Sequence, residues 1–188
     1  NVPEFSMDVY GTELYQTQQV FKYPKAGEAN SEISLHIYNM KTKETDEVKV
    51  DKAYKDFYIP RIEWTNNPDV LSAQYMNRHQ NELDLWMINA KTNISNLVLA
   101  ERDKAYVDVT DNLTFLKDHS FIWTSEKDGY NHIYHYDKKG DLINQVTKGN
   151  WEVTNYYGYD EKDDTIFYQS VENGSINRDV YSIKLNGR

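Results

Sequence analysis

His132 and His135 stand three residues apart, and closely spaced imidazoles are the residue types that hold a transition metal. The residues around them alternate as a strand does, and positions i and i+3 of a strand face opposite sides of a sheet. The pair therefore reads as two structural side chains, His132 bonding the adjacent turn, and no metal is expected. His36, His79 and His119 have no spaced partner. The run Asp160-Glu161-Lys162-Asp163-Asp164 is dense enough in carboxylates to suggest Ca²⁺, but it lacks the D-x-D-x-D-G order of a calcium loop and reads as a solvated turn. Glu126 and Asp128 sit in a turn ahead of Gly129, where carboxylates cap backbone N–H groups. Asn77-Arg78-His79-Gln80-Asn81 is the most polar interruption of the chain. Its amides and Arg78 satisfy carbonyls where a turn leaves a ladder, or alternatively reach a central pore or a substrate. No G-x-S-x-G occurs and there is no cysteine. A serine nucleophile elbow, a thiolate centre and a disulfide are thus all unencoded, and neither a catalytic residue nor a cofactor is expected here.

Many short strands must position these groups. Leu35–Asn39, Leu85–Asn89 and Ile133–Asp137 are alternating strands, each followed by a polar turn and a second strand (Val48–Val50, Leu97–Leu99, Ile143–Val146). Asn39 to Asn89 is 50 residues and Asn89 to Asp137 is 48; a further copy opens at Val180–Lys184, with Lys184 47 residues beyond Asp137. A period of 40–50 residues with several strands per unit is the signature of propeller blades. The expectation is an all-β partial β-propeller in one domain: an incomplete blade over 1–58, blades over 59–106 and 107–154, and an incomplete blade over 155–188. Strands are expected near 61–64, 70–75, 83–88, 96–99, 113–116, 120–124, 132–136 and 142–147. Trp64, Trp86, Trp123 and Trp151 fall at strand positions and are assigned to packing between blades.

Composition agrees. Aromatic residues make up 14% of the 188 residues, including 16 Tyr, which favours half-buried strands over amphipathic helices. The formal net charge of −9 argues against a nucleic-acid partner, and no apolar run approaches the roughly 20 residues of a membrane helix. The chain opens at Asn1 rather than Met, which is compatible with an upstream signal or anchor. The N-x-S/T sites at Asn93, Asn112 and Asn173 are as frequent as chance allows.

Five motifs occur in a particular order. They are Tyr23-Pro24-Lys25-Ala26-Gly27-Glu28-Ala29-Asn30, Ile59–Trp64, Gln74–Asn81, Trp123–Tyr134 and Val146–Val153. Together they resemble the N-terminal propeller of the dipeptidyl peptidase IV family of S9-type serine exopeptidases, over nearly the whole chain. The resemblance implies about four blades of an eight-bladed propeller, two of them complete. It makes Tyr23, Pro24, Lys25, Gly27, Asn77, Gln80, Trp123, Gly129, Tyr130, His132, Gly149 and Trp151 structural motif residues. It also implies a C-terminal α/β-hydrolase domain as partner, a peptide substrate, and a propeller that gates access to a Ser-Asp-His triad.

The family's Glu pair for the substrate amine lies N-terminal to the Y-P-K-A-G segment, and the 22 residues before Tyr23 contain only the isolated Glu4 and Glu13. That motif is expected upstream. A family loop that approaches the substrate follows an aromatic-Val pair, to which Tyr106-Val107 corresponds. Mammalian relatives place Phe and Arg soon after that pair, whereas this chain has Asp108-Val109-Thr110-Asp111, a departure that counts against a pocket role; Asp108, Asp111 and Arg78 are the weak candidates for substrate contact. The expected location is periplasmic or secreted in a bacterium, with no membrane contact by this segment. A homodimer through exposed blade edges is expected, with Val20, Phe21, Phe167 and Tyr168 as candidates. The alternative function is an independent propeller-type module that binds protein or ligand without an enzymatic partner.

Overall fold

The computed structural model describes residues 2–50 and 52–188. The described residues form two compact units, divided after Ser34, and all their regular structure is β.

The first unit is a hairpin of β1 (Glu4–Val9) and β2 (Thr17–Lys22), paired antiparallel from Glu4↔Lys22 to Val9↔Thr17. β1 goes beyond the strands expected from sequence. Phe5, Phe21 and Tyr23 form an aromatic cluster with centroids 5.9–6.3 Å apart, and Lys25 Nζ lies 4.0 Å from the Phe5 centroid. After Pro24 the chain turns at Gly27, whose φ of 88° is costly for any residue with a Cβ.

The second unit is a series of antiparallel meanders. β3 (His36–Asn39) and β4 (Glu44–Glu47) form a two-stranded sheet. β5 (Phe57–Trp64), β6 (Val70–Asn77), β7 (Glu82–Asn89) and β8 (Ser95–Arg102) form a four-stranded sheet in chain order. So do β9 (Thr114–Phe115), β10 (Phe121–Ser125), β11 (His132–Tyr136) and β12 (Leu142–Gln145). A three-stranded sheet of β13 (Val153–Asp160), β14 (Thr165–Ser170) and β15 (Asp179–Lys184) closes the described chain. The two four-stranded meanders are the two complete blades expected, and the architecture is a partial propeller.

One side-chain device sets the repeat. Asn39 Oδ1 accepts the N–H groups of Lys41 and Thr42, Asn89 Oδ1 those of Lys91 and Thr92, and Asp137 Oδ1 those of Lys139 and Asp141. Each turn then passes through a left-handed residue, Lys43, Asn93 or Gly140. The first of these turns is so tight that the return strand begins at Glu44, and His36 already faces Glu47. The expected strand at 48–50 is therefore displaced: Val48 N bonds Leu35 O, and Lys49 reaches across to Asn93 and Ser95.

Each blade presents alternate residues to its two neighbours. Leu71, Ala73, Tyr75, Trp86 and Ile88 face one core, which Val48 and Leu35 also enter. Leu83 and Leu85 point the other way, to meet Phe121, Trp123 and Tyr134 of the next blade. Ile122 and Ile133 face a third core with Val153, Ile166 and Tyr168. Trp86 and Trp123 are buried as expected, whereas Trp64 is half exposed. The same alternation corrects one expected edge residue. Tyr168 is buried and stacks between Trp151 and Tyr181, while its neighbour Phe167 faces outward.

Candidate functional site

A cleft of about 680 Å³ opens beside the junction of the two four-stranded blades. Its walls are the end of β8, the loop 103–112, the end of β10 with the turn at Glu126–Gly129, and residues 152–154. The loop is held by Val107 and Val109, which pack against the core between the two blades, and by hydrogen bonds. Asp103 N bonds Asn81 O, and Val107 N bonds Gln80 O. The Asp103 carboxylate caps Ala105 N and Tyr106 N, and these bonds hold Asp103 below the usual carboxylate range. Further along, Thr110 Oγ1 lies 2.6 Å from Thr124 Oγ1, and Asn112 donates to the same hydroxyl. The polar turn at 77–81 is thus a support for the loop: Asn77 Oδ1 accepts from Asn81 N and Glu82 N, and the left-handed Gln80 aims its carbonyl at Val107.

The cleft is acidic. Glu101, Asp103, Asp108, Asp111, Glu126 and Glu152 line it, against Arg102 and Lys127. Both cations are engaged: Arg102 with the buried Asp84, Lys127 with Tyr136 OH at 2.6 Å and over the Tyr134 ring at 4.0 Å. Burial pushes the Glu126 carboxyl up, and repulsion from Asp108, Glu152 and Asp103 adds to it. Burial likewise lowers Lys127, against the pull of Glu101 and Asp128. Glu101 is tied down, accepting from Trp123 Nε1 at 3.1 Å and Ser125 Oγ at 2.8 Å. A cationic group entering the cleft would meet fixed negative charge with its local counter-ions occupied elsewhere.

The three weak candidates separate. Asp108 lines the cleft. Asp111 also reaches it but is clamped by the Arg61 guanidinium, which holds its carboxyl down. Arg78 lies outside the cleft lining and pairs with Asp56 at 2.9 Å. Among the motif residues, Trp123 and Gly129 border the cleft, and Tyr130 N bonds the Asp128 carboxylate. His132 bridges Thr147 Oγ1 and Gly149 O at 3.1 and 3.0 Å, edge-on to Trp151. A carbonyl can only accept, so His132 Nε2 carries a hydrogen. At Gly149, φ is 147° and a Cβ would lie 2.3 Å from Trp151 Nε1.

Sequence reasoning took Glu126 only as a cap and passed over Glu101, Asp103 and Glu152. They are scattered over 52 residues, and only the stacking of blades gathers them.

Ser120, His135 and Asp118 assemble the residue types of a hydrolytic triad in the wrong order. Ser120 Oγ donates to Asp118 Oδ1 at 2.6 Å, so His135 Nε2, 2.8 Å away, donates to that hydroxyl rather than taking its proton. The carboxylate touches the serine instead of orienting the imidazole. Burial lowers His135, against the opposing pull of Asp118. The trio is structural. Among the described residues, no group of three or more His, Asp or Glu side chains could hold a metal.

The family described as dipeptidyl peptidase IV (DPP IV) N-terminal region matches residues 1–188. "Probable dipeptidyl-aminopeptidase B" of Phaeosphaeria nodorum is 29% identical over 193 residues, covering 94% of this chain and 21% of that protein. "Probable dipeptidyl peptidase 4" of Aspergillus fumigatus is 24% identical, over 97% of this chain and 26% of that protein. The crystal structure of Porphyromonas gingivalis dipeptidyl peptidase 4 superposes with a TM-score of 0.88 and 43% identity over 100% of this chain and 27% of that one. A Bacteroides ovatus structure is alike in fold, with a TM-score of 0.81 and 24% identity, over 100% of this chain and 29% of that one. The chain thus spans between a fifth and a third of the relatives it matches.

Proposed function

Because the chain belongs to the dipeptidyl peptidase IV N-terminal region family, we propose that it is the non-catalytic propeller segment of a serine-type dipeptidyl peptidase. In this reading it gates the approach of peptides and helps to hold their N-termini, and a C-terminal α/β-hydrolase domain performs hydrolysis. The observation that supports a binding role is the acidic cleft, in which Glu126, Asp108 and Glu152 repel one another. An α-ammonium group relieves that repulsion, and the loop 103–112 shapes the approach. A periplasmic or secreted location in a bacterium fits this role.

Two measurements test the reading. The chain alone should release no chromophore from a Xaa-Pro substrate and take no fluorophosphonate label, because the nucleophile and its base are not encoded; turnover by pure protein sinks the proposal. A free-amine Xaa-Pro peptide should bind more tightly than its N-acetylated form, and Asp108→Asn or Glu126→Gln should narrow the gap about threefold to tenfold, as partly exposed charge pairs do. Equal binding of both peptides would remove the cleft from the proposal.

A homodimer also belongs to this reading. A hairpin of two strands is marginal in water by itself, and Val20 at 60% and Phe167 at 43% exposure present apolar surface. Light scattering over a dilution series should show association that weakens in Val20→Lys or Phe167→Lys. A strict monomer at high concentration refutes it.

A further inference from the structure

A second, smaller cavity of about 170 Å³ lies between β5, β6 and the loop that carries Thr110 and Asp111. We propose that it binds a primary ammonium group carried on a short aliphatic stem. The key observation is Gln74. The residue is 2% exposed, its Nε2 donates to Thr110 O at 3.3 Å, and among the described residues its Oε1 has no hydrogen-bond partner. A buried acceptor left unpaired is costly and calls for a donor. The cavity wall next to Gln74 includes the Glu63 and Asp111 carboxylates and the Arg61 guanidinium. Among the described residues the Arg61 guanidinium bonds Asp111 and Pro60 O, and with the Arg61–Asp111 pair neutralised the remaining charge at the cavity is the Glu63 carboxylate. Among the described residues no cation pairs with Glu63, whose carboxyl burial pushes up.

The rest of the lining suits a stem. Leu113 supplies apolar wall, and the volume equals roughly five or six waters at about 30 Å³ each, enough for a four-carbon chain with its charged head. An ammonium brings three donors and one positive charge, so it can serve the Gln74 amide oxygen and the Glu63 carboxylate together. A tetraalkylammonium brings the charge without donors, and an alcohol brings the stem without charge. This site shares Thr110 and Asp111 with the rim of the acidic cleft, but Gln74 and Glu63, which carry the proposal, line the smaller cavity and not the cleft.

The test is a titration of the protein with n-butylammonium chloride, following the Gln74 side-chain amide by ¹⁵N–¹H NMR at constant ionic strength. Saturable movement of that resonance is expected with a Kd of about 1–10 mM, and neither tetramethylammonium nor n-butanol should reproduce it. Gln74→Leu, followed by calorimetry, should weaken binding about tenfold, the loss of one hydrogen bond to a charged group. Glu63→Gln keeps the side-chain shape while removing the charge and should weaken it by a similar factor. An unmoved Gln74 resonance, or an equal response to tetramethylammonium, overturns the proposal. So does binding that is lost in Asp108→Asn but kept in Glu63→Gln, since that places the ligand in the larger cleft.

Discussion

Gly140→Ala is expected to destabilise the protein by about 3–5 kcal/mol, with the left-handed backbone and the steric overlap both contributing. Gly140 has a φ of 91°, and a Cβ there would lie 1.5 Å from Val98 O and 2.5 Å from Val98 C. Val98 cannot retreat. It is the extra residue of a bulge in β8, between the Leu99↔Leu85 and Leu97↔Trp86 pairs, and its side chain is locked in the core between the two blades. The turn of the second blade is therefore seated on the outer strand of the first. In a domain whose whole stability is of order 5–15 kcal/mol, this change should lower the melting midpoint by about 10 °C or more. Gly129→Ala is the control: its φ is 103°, but nothing lies within 4 Å of the added Cβ, so only the backbone cost of about 1 kcal/mol applies. Equal effects at the two positions would show that the contact with Val98 is not what matters.

Asp84→Asn should cost about 3 kcal/mol at neutral pH, the low end for breaking a buried ion pair, because its cationic partners are partly exposed and can be rehydrated. Asp84 is 1% exposed. It accepts from Lys52 Nζ at 2.7 Å, from Tyr54 OH at 2.5 Å and from Arg102, and Trp86 Nε1 donates to the same Tyr54 oxygen at 2.8 Å. One carboxylate thus ties the segment before β5 to β7 and β8. Burial pushes Asp84 up, but the hydrogen bonds from Lys52, Tyr54 and Arg102 outweigh it and hold the group below the usual range. Burial and the bond to Asp84 push the Tyr54 hydroxyl up in turn. A carboxylate whose folded value lies below its unfolded one contributes stability above the unfolded value, and loses it as pH falls through the folded one. The advantage of the natural protein over Asp84→Asn should therefore be full at pH 7 and shrink from about pH 4 downward. Urea unfolding at both pH values checks this; an advantage that grows in acid would contradict it.

Much of the fold is legible without coordinates because strands announce themselves locally. The alternation in Leu83–Ile88 and Phe121–Thr124 identifies which residues share a face. Asn39, Asn89 and Asp137 mark the turns because an Asx side chain bonds its own backbone two residues on. The strand at 48–50 was misplaced for the same reason: a polar segment such as Glu44-Thr45-Asp46-Glu47 carries no apolar alternation, and only its pairing with His36–Asn39 makes it a strand. β9 shrinks to two residues, Thr114 and Phe115, because its neighbours Asn112 and Leu113 serve the loop and the core instead.

The sequence by itself determined the all-β class, the blade period and the positions of the turns, since these follow from short-range alternation and from residue types. Tertiary structure decided the rest. Asp84 and Gln74 look alike in a strand pattern as polar residues, yet one is satisfied by three donors and the other leaves an acceptor unpaired. Gly140 looks like any turn glycine until Val98 is placed against it. The acidic cleft exists only because stacked blades bring Glu101, Asp108, Glu126 and Glu152 to one opening. Burial, charge proximity and steric contact between distant residues are properties of the packed chain, and no local pattern encodes them.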